Sequence, residues 1–110
     1  MDPEKLNAIE KRIKSLNNIS PERKSEILTL LSELKSEIAI LAESHHEHAE
    51  SVSGLISVSA HEATRTERNE RSLELVLEAL RSSVESFESS HPHLTKIVNA
   101  LSIMLSNLGI

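Results

Sequence analysis

The run Pro21-Glu22-Arg23-Lys24-Ser25-Glu26-Ile27-Leu28-Thr29-Leu30-Leu31-Ser32-Glu33-Leu34-Lys35-Ser36-Glu37-Ile38-Ala39-Ile40-Leu41 decides the fold. Its apolar residues Ile27, Leu31, Leu34, Ile38 and Leu41 recur at spacings of 4, 3, 4 and 3. That is the heptad-like rhythm of a helix packed along its length against a partner. Leu28, Leu30 and Ile40 widen the apolar face beyond a single seam. Pro21 behind Ser20 marks the start, because the first helical position needs no N–H.

Working outward, Leu6, Ile9, Ile13 and Leu16 form one apolar stripe and predict a helix over 3–17. The turn Asn17-Asn18-Ile19-Ser20 is too short for anything but an antiparallel hairpin with the next helix. Beyond Ala42 the rhythm falls on His45 and His48, then on Val52 and Leu55, so helix 2 is predicted over 21–53. Whether it continues to about residue 65 turns on Gly54, since an unbroken helix from Pro21 to Arg65 would be roughly 65 Å long. The uncharged stretch 51–60 alternates enough to allow a strand, but no other segment offers a strand to pair with it. Asn69 reads as the cap of a helix over 70–89 with the stripe Leu73, Leu77, Leu80, Val84 and Phe87. Pro92 opens a last helix over 92–108, with Gly109 as its stop.

That last helix carries Leu94, Ile97, Val98, Leu101, Met104, Leu105 and Leu108 and a single charge, Lys96. So apolar a helix in so short a chain points to a subunit interface. The expectation is one all-α domain over 1–110, an elongated, coiled-coil-like bundle of antiparallel hairpins. It would assemble as a homo-oligomer through Leu31, Leu34, Ile38, Leu41, Leu101, Leu105 and Leu108.

Composition supports helices and excludes several chemistries. Among 110 residues there are 17 acids, all but Asp2 being Glu, with two Gly, three Pro, one Phe and no Cys. Glu keeps its rotamer freedom in a helix while Asp competes for the backbone. Two isolated glycines cannot build a phosphate-cradling loop. Without Cys there are no disulfides, zinc fingers or thiol nucleophiles, which suits a reducing cytoplasm. No apolar run approaches the roughly 18 residues of a membrane span, and the Met-Asp-Pro-Glu-Lys start lacks a signal-peptide core. A net charge of −5 argues against nucleic-acid binding, which needs a basic patch. The imbalance is local: residues 36–64 hold five Glu and no Lys or Arg.

Four of the six His lie in that acidic segment. His45 and His48 share a helical face, a spacing able to share a divalent metal, and Glu50 or Glu62 could add an oxygen. If the chain reversed at Gly54, His48 would face His61, giving a candidate set of His45, His48, His61 and Glu62. Alternatively, His in a packed seam is neutral near pH 7 and charges below about 6.5, adding repulsion. The plainest reading is a solvated helix surface. His91 and His93 flank Pro92 and read as a helix-entry turn. Arg65, Arg68 and Arg71 alternate with Glu and read as a solvated face. No Gly-x-Ser-x-Gly elbow is present, and carboxylate pairs on Glu-rich helices arise by chance, so no catalytic residue is assigned and the chain is read as a non-enzyme.

The C-terminal third carries a more specific pattern: Phe87-Glu88-Ser89-Ser90-His91-Pro92-His93-Leu94, then Asn99-Ala100-Leu101, and the close Asn107-Leu108-Gly109-Ile110. Together with Ser59-Ala60-His61-Glu62-Ala63-Thr64-Arg65, it resembles an uncharacterised bacterial family of short helical proteins classed as a domain of unknown function. The resemblance spans about residues 55–110, and the N-terminal hairpin shares only the pattern. It implies a small all-helical protein without an assigned activity. The functional expectation is a helical oligomerisation or protein-interaction module. The alternative is a metal- or pH-responsive protein using the His-rich middle segment.

Overall fold

The structure, a computed structural model, describes residues 3–108. The expected helix stop at Gly109 lies outside those residues. The elements are α1 (Pro3–Lys14), α2 (Pro21–Ser44), α3 (His46–Ala63), α4 (Glu70–Glu85) and α5 (Pro92–Ser106). Among the described residues there is no strand, and the stretch 51–60 is helical.

Local sequence explains the boundaries. Ser20 caps α2, its Oγ accepting a hydrogen bond from the Arg23 N–H at 3.2 Å, and Pro21 takes the first helical position. Asn69 caps α4 in the same way, Oδ1 accepting from the Ser72 N–H at 2.9 Å. Helix α4 stops at Glu85, short of the expected residue 89, and a tight turn through Ser90 carries Phe87 inward. Helix α1 likewise ends at Lys14, ahead of the expected residue 17.

The long second helix breaks at His45, with φ −139° and ψ 63°, and Gly54 sits undisturbed inside α3. Breaking there turns the chain as soon as the Leu41 seam ends. Ala49, Val52 and Ile56 then pack back on the other side of the bundle. This corrects the expectation of an elongated rod. The molecule measures 38 × 25 × 21 Å, with a radius of gyration of 13.1 Å, the value of about 13 Å expected for a compact domain of this length.

Helices α2 to α5 close into an up-down-up-down four-helix bundle: α2 packs on α3 and α5, and α4 packs on α3 and α5. Helix α1 lies outside this ring, in the groove between α2 and α3, where it buries Leu6, Ile9 and Ile13. The core is built almost wholly of Leu, Ile, Val and Ala, with Phe87 its one aromatic. No helix of the described residues is long and apolar enough to cross a membrane.

The two hairpins repeat. A shift of 46 residues carries Ile27, Leu31, Leu34, Ile38 and Leu41 onto Leu73, Leu77, Leu80, Val84 and Phe87, buried position onto buried position. It also carries the break at His45 onto His91, and Ala49, Val52 and Ile56 of α3 onto the buried Thr95, Val98 and Ser102 of α5. The pairs α2–α3 and α4–α5 are therefore equivalent halves about an axis along the bundle.

Candidate functional site

The seven residues expected at a subunit seam all face inward. Leu31, Leu34, Ile38, Leu41, Leu101, Leu105 and Leu108 are each 0–2% exposed within the single chain. The surplus of apolar stripe disappears once α2 bends at His45, because α3 and α5 then cover it. Half or more of each of Ile40, Leu75 and Ile103 is exposed, Ile103 most at 63%.

The His candidates divide between the two ends of the bundle. His48 and His61 lie on one continuous helix about 20 Å apart at 1.5 Å per residue, so the facing pair expected from a reversal at Gly54 is corrected. His61 is exposed, and Glu62 is engaged by Arg65, whose Nη1 donates to Oε1 at 3.0 Å. His45 and His48 are exposed too, and do not occupy the packed seam.

At the other end His45 and His48 join a partner that spacing did not point to. Their rings and that of His91 stand around Phe87, with centroids 5.1, 5.2 and 5.8 Å from the phenyl ring, all edge-on. His45 lies 6.0 Å from His48 and 6.4 Å from His91. Ser44 Oγ and His45 Nδ1 share a hydrogen bond at 2.8 Å, and Ser90 Oγ and His91 Nδ1 do the same at 3.0 Å. The imidazoles thus cover the inward-turned Phe87. Among the described residues no group of three or more His, Asp or Glu side chains is disposed to hold a metal ion.

A second feature comes from the repeat. Helix α1 is held in the α2–α3 groove by Lys24, whose Nζ donates to the carbonyls of Lys14 at 3.0 Å and Leu16 at 2.6 Å. Lys35 Nζ donates to Asn7 Oδ1 at 2.7 Å and forms an ion pair with Glu10. Ser57, Ala60 and His61 border Ala8, Ile9 and Arg12 on the α3 side. Moved by the same 46 positions, Lys24, Ile27, Leu28, Leu31 and Lys35 become Glu70, Leu73, Glu74, Leu77 and Arg81, while Ser57, Ala60 and His61 become Ile103, Ser106 and Asn107. Those eight residues line one open recess of about 370 Å³ between α4 and α5. The recess is the seat of α1 repeated, with no helix of the described chain in it. Arg81, which stands where Lys35 holds α1, has no hydrogen bond or ion pair among the described residues. A self-comparison of the sequence at the spacing of its two Ser-His pairs would have revealed this groove.

No curated protein and no solved structure matches the chain. A family match does, and it reaches further toward the N-terminus than the motif-bearing third, taking in nearly all of α2 and the whole four-helix ring. Residues 24–110 match a family described as a domain of unknown function, DUF4404, and the chain belongs to it.

Proposed function

We propose that the chain is a non-enzymatic helical interaction module whose working surface is the open groove between α4 and α5. One observation carries the reading. The groove that α1 fills on one half of the bundle is repeated on the other half, and there it holds Ile103 63% exposed over the aliphatic edge of Leu73 and Leu77. An aliphatic side chain so placed gains by being covered, at roughly 25 cal/mol per Å² of apolar surface removed from water. Self-assembly is the simplest form of such a module, and a C2 pair would use the same face on both copies. Light scattering across micromolar concentrations tests it with wild type and Ile103→Asp. A concentration-dependent mass that the substitution returns to 12.2 kDa supports self-assembly through this face. A wild-type chain that stays at 12.2 kDa throughout assigns the surface to a different protein. A multimer indifferent to Ile103→Asp moves the interface elsewhere.

A second reading, a proton-responsive protein, draws on three imidazoles whose ring centroids lie 5.1–5.8 Å from that of Phe87. Its residues shift from His45, His48, His61 and Glu62 to His45, His48 and His91. Melting between pH 5 and 8, on the chain and on its triple Ala variant, tests it. Identical behaviour of the two chains ends the idea.

A further inference from the structure

We propose that the α4–α5 groove receives a short amphipathic helix of a separate protein, built on the pattern of α1 and lying with its C-terminal turn toward Glu70. The inference rests on the interaction reading above and names the partner's chemistry.

The occupied groove shows what such a seat takes. Leu6, Ile9 and Ile13 of α1, three and four residues apart, are buried against α2 and α3. Glu10 meets Lys35, and the last carbonyls meet Lys24. The open groove keeps the aliphatic floor and the central cation, with Leu73 and Leu77 below and Arg81 in the place of Lys35. Two changes distinguish it. Ser57 is replaced by the exposed Ile103, so the rim is more apolar than the seat α1 already occupies. Lys24 and Leu28 are replaced by Glu70, which Arg68 engages through Nε and Nη2 at 3.0 Å, and by Glu74, so the end that receives the helix C-terminus offers a carboxylate, Glu74, where the occupied seat has an aliphatic side chain.

The occupant is therefore a helix of three to four turns with apolar residues at i, i+3 and i+7, the anchors of helix-in-groove recognition. It carries a carboxylate in the middle turn for Arg81. Its last turn carries Lys or Arg for Glu74, a cation that also suits the negative end of its own dipole. Helix α1, with Glu10 in the middle and Lys11, Arg12 and Lys14 in its last turn, has this pattern. The α1 of a second copy is not the occupant. It is tethered to its own seat by the short loop over residues 15–20, at an effective concentration in the millimolar range.

A synthetic peptide of residues 3–16 serves as the probe, added to the isotope-labelled full chain and followed by NMR and fluorescence anisotropy. The expected result is saturable 1:1 binding with shifts at Leu77, Arg81, Ile103 and Ser106. Ile103→Asp, on an exposed side chain that leaves the fold intact, should weaken binding at least ~tenfold, about 1.4 kcal/mol. Arg81→Glu should weaken it about fivefold, with recovery when the peptide carries Glu10→Lys, a pairing that a merely structural Arg81 would not restore. No saturable binding, binding indifferent to Ile103→Asp, or shifts at Lys35 and Ser57 from displacement of the chain's own α1 would each overturn the proposal. A multimer of the chain alone, abolished by Ile103→Asp and dispersed by the peptide, would assign the groove to a second copy. That outcome overturns the separate partner and leaves the interaction reading standing.

Discussion

His45 and His91 hold the same backbone conformation 46 residues apart, with φ/ψ of −139°/63° and −136°/63°. His45 ends α2 and starts α3, and His91 starts α5 at the close of the turn that follows α4. The His45 N–H donates to the Leu41 carbonyl at 2.8 Å and the His91 N–H to that of Phe87 at 2.6 Å. Their carbonyls accept from the N–H groups of Ala49 at 3.0 Å and Thr95 at 3.4 Å. The joint satisfies one backbone group on each side of it, so a break costs little where the seam ends.

The equivalence predicts that His46→Pro is tolerated. His46 is the first residue of α3, as Pro92 is of α5, and His91 shows that the preceding residue accepts a following proline in this conformation. Proline also restricts the unfolded chain, so stability should change by between 0 and about +1 kcal/mol. Urea denaturation measures it, and a loss above about 2 kcal/mol would show that the two joints are not equivalent.

Gly54 was the residue on which the predicted course of the chain turned, and the structure gives it no conformational duty. It lies in mid-helix, and a Cβ added there meets nothing within 4 Å. Gly54→Ala should therefore stabilise by about 0.5–1 kcal/mol through helix propensity. In a domain of this size that raises the melting temperature by roughly 2–8 °C. A lower melting temperature would show that α3 needs the flexibility.

Period and punctuation made the helices legible. Ile27 to Leu41 and Leu73 to Phe87 announced their buried faces, and Ser20, Pro21, Asn69 and Pro92 announced the starts. The break at His45 was not legible, because neither Ser44 nor His45 is a strong helix stop. What turns the chain there is the tertiary gain of folding α3 back over the seam, an energy that no local residue displays. The same hidden bend made seven inward Leu and Ile residues look like a subunit seam. The His cluster failed for a related reason: His91 joins His45 only because the two joints share one end of the bundle, and spacing along a single helix cannot report that.

Ser53 and Ser59 are fully buried on α3, and their hydroxyls have no hydrogen-bond partner among the described residues. A buried hydroxyl left unpaired is stripped of water without compensation. Ser53→Ala should then be neutral or stabilising by up to about 1 kcal/mol, with Ser59→Ala alike, in chemical denaturation. A loss of stability in either variant would reveal a bond from the hydroxyl to a helix carbonyl.

Phe87 occupies the seam position that Leu41 holds in the other half, 6% exposed beneath three imidazoles. Phe87→Leu keeps the aliphatic seam and should cost under about 1.5 kcal/mol. Phe87→Ala leaves a cavity and should cost about 3 kcal/mol or more. In Phe87→Leu the His45, His48 and His91 ring protons should also lose the ring-current shift that the adjacent phenyl imposes. Equal costs for the two substitutions would mean that the imidazoles depend on the ring itself.

Lys24 donates to the carbonyls of Lys14 and Leu16 at the C-terminal end of α1, the place where its counterpart Glu70, paired with Arg68, stands at the open groove. Lys24→Glu removes both donated bonds and sets an acid against the negative end of the α1 dipole, a cost of about 1–2 kcal/mol. That cost should fall on one element. Helix α1 packs on α2 and α3 from outside the closed ring, so it can detach while α2 to α5 stay assembled. Native-state hydrogen exchange should therefore show faster exchange for the amides of Leu6 to Ile13 and unchanged protection for Leu31, Leu77 and Leu101. Uniform loss of protection across all five helices would instead make α1 a full member of the cooperative core, and the groove it fills would then be a poor template for an exchangeable partner on the opposite side.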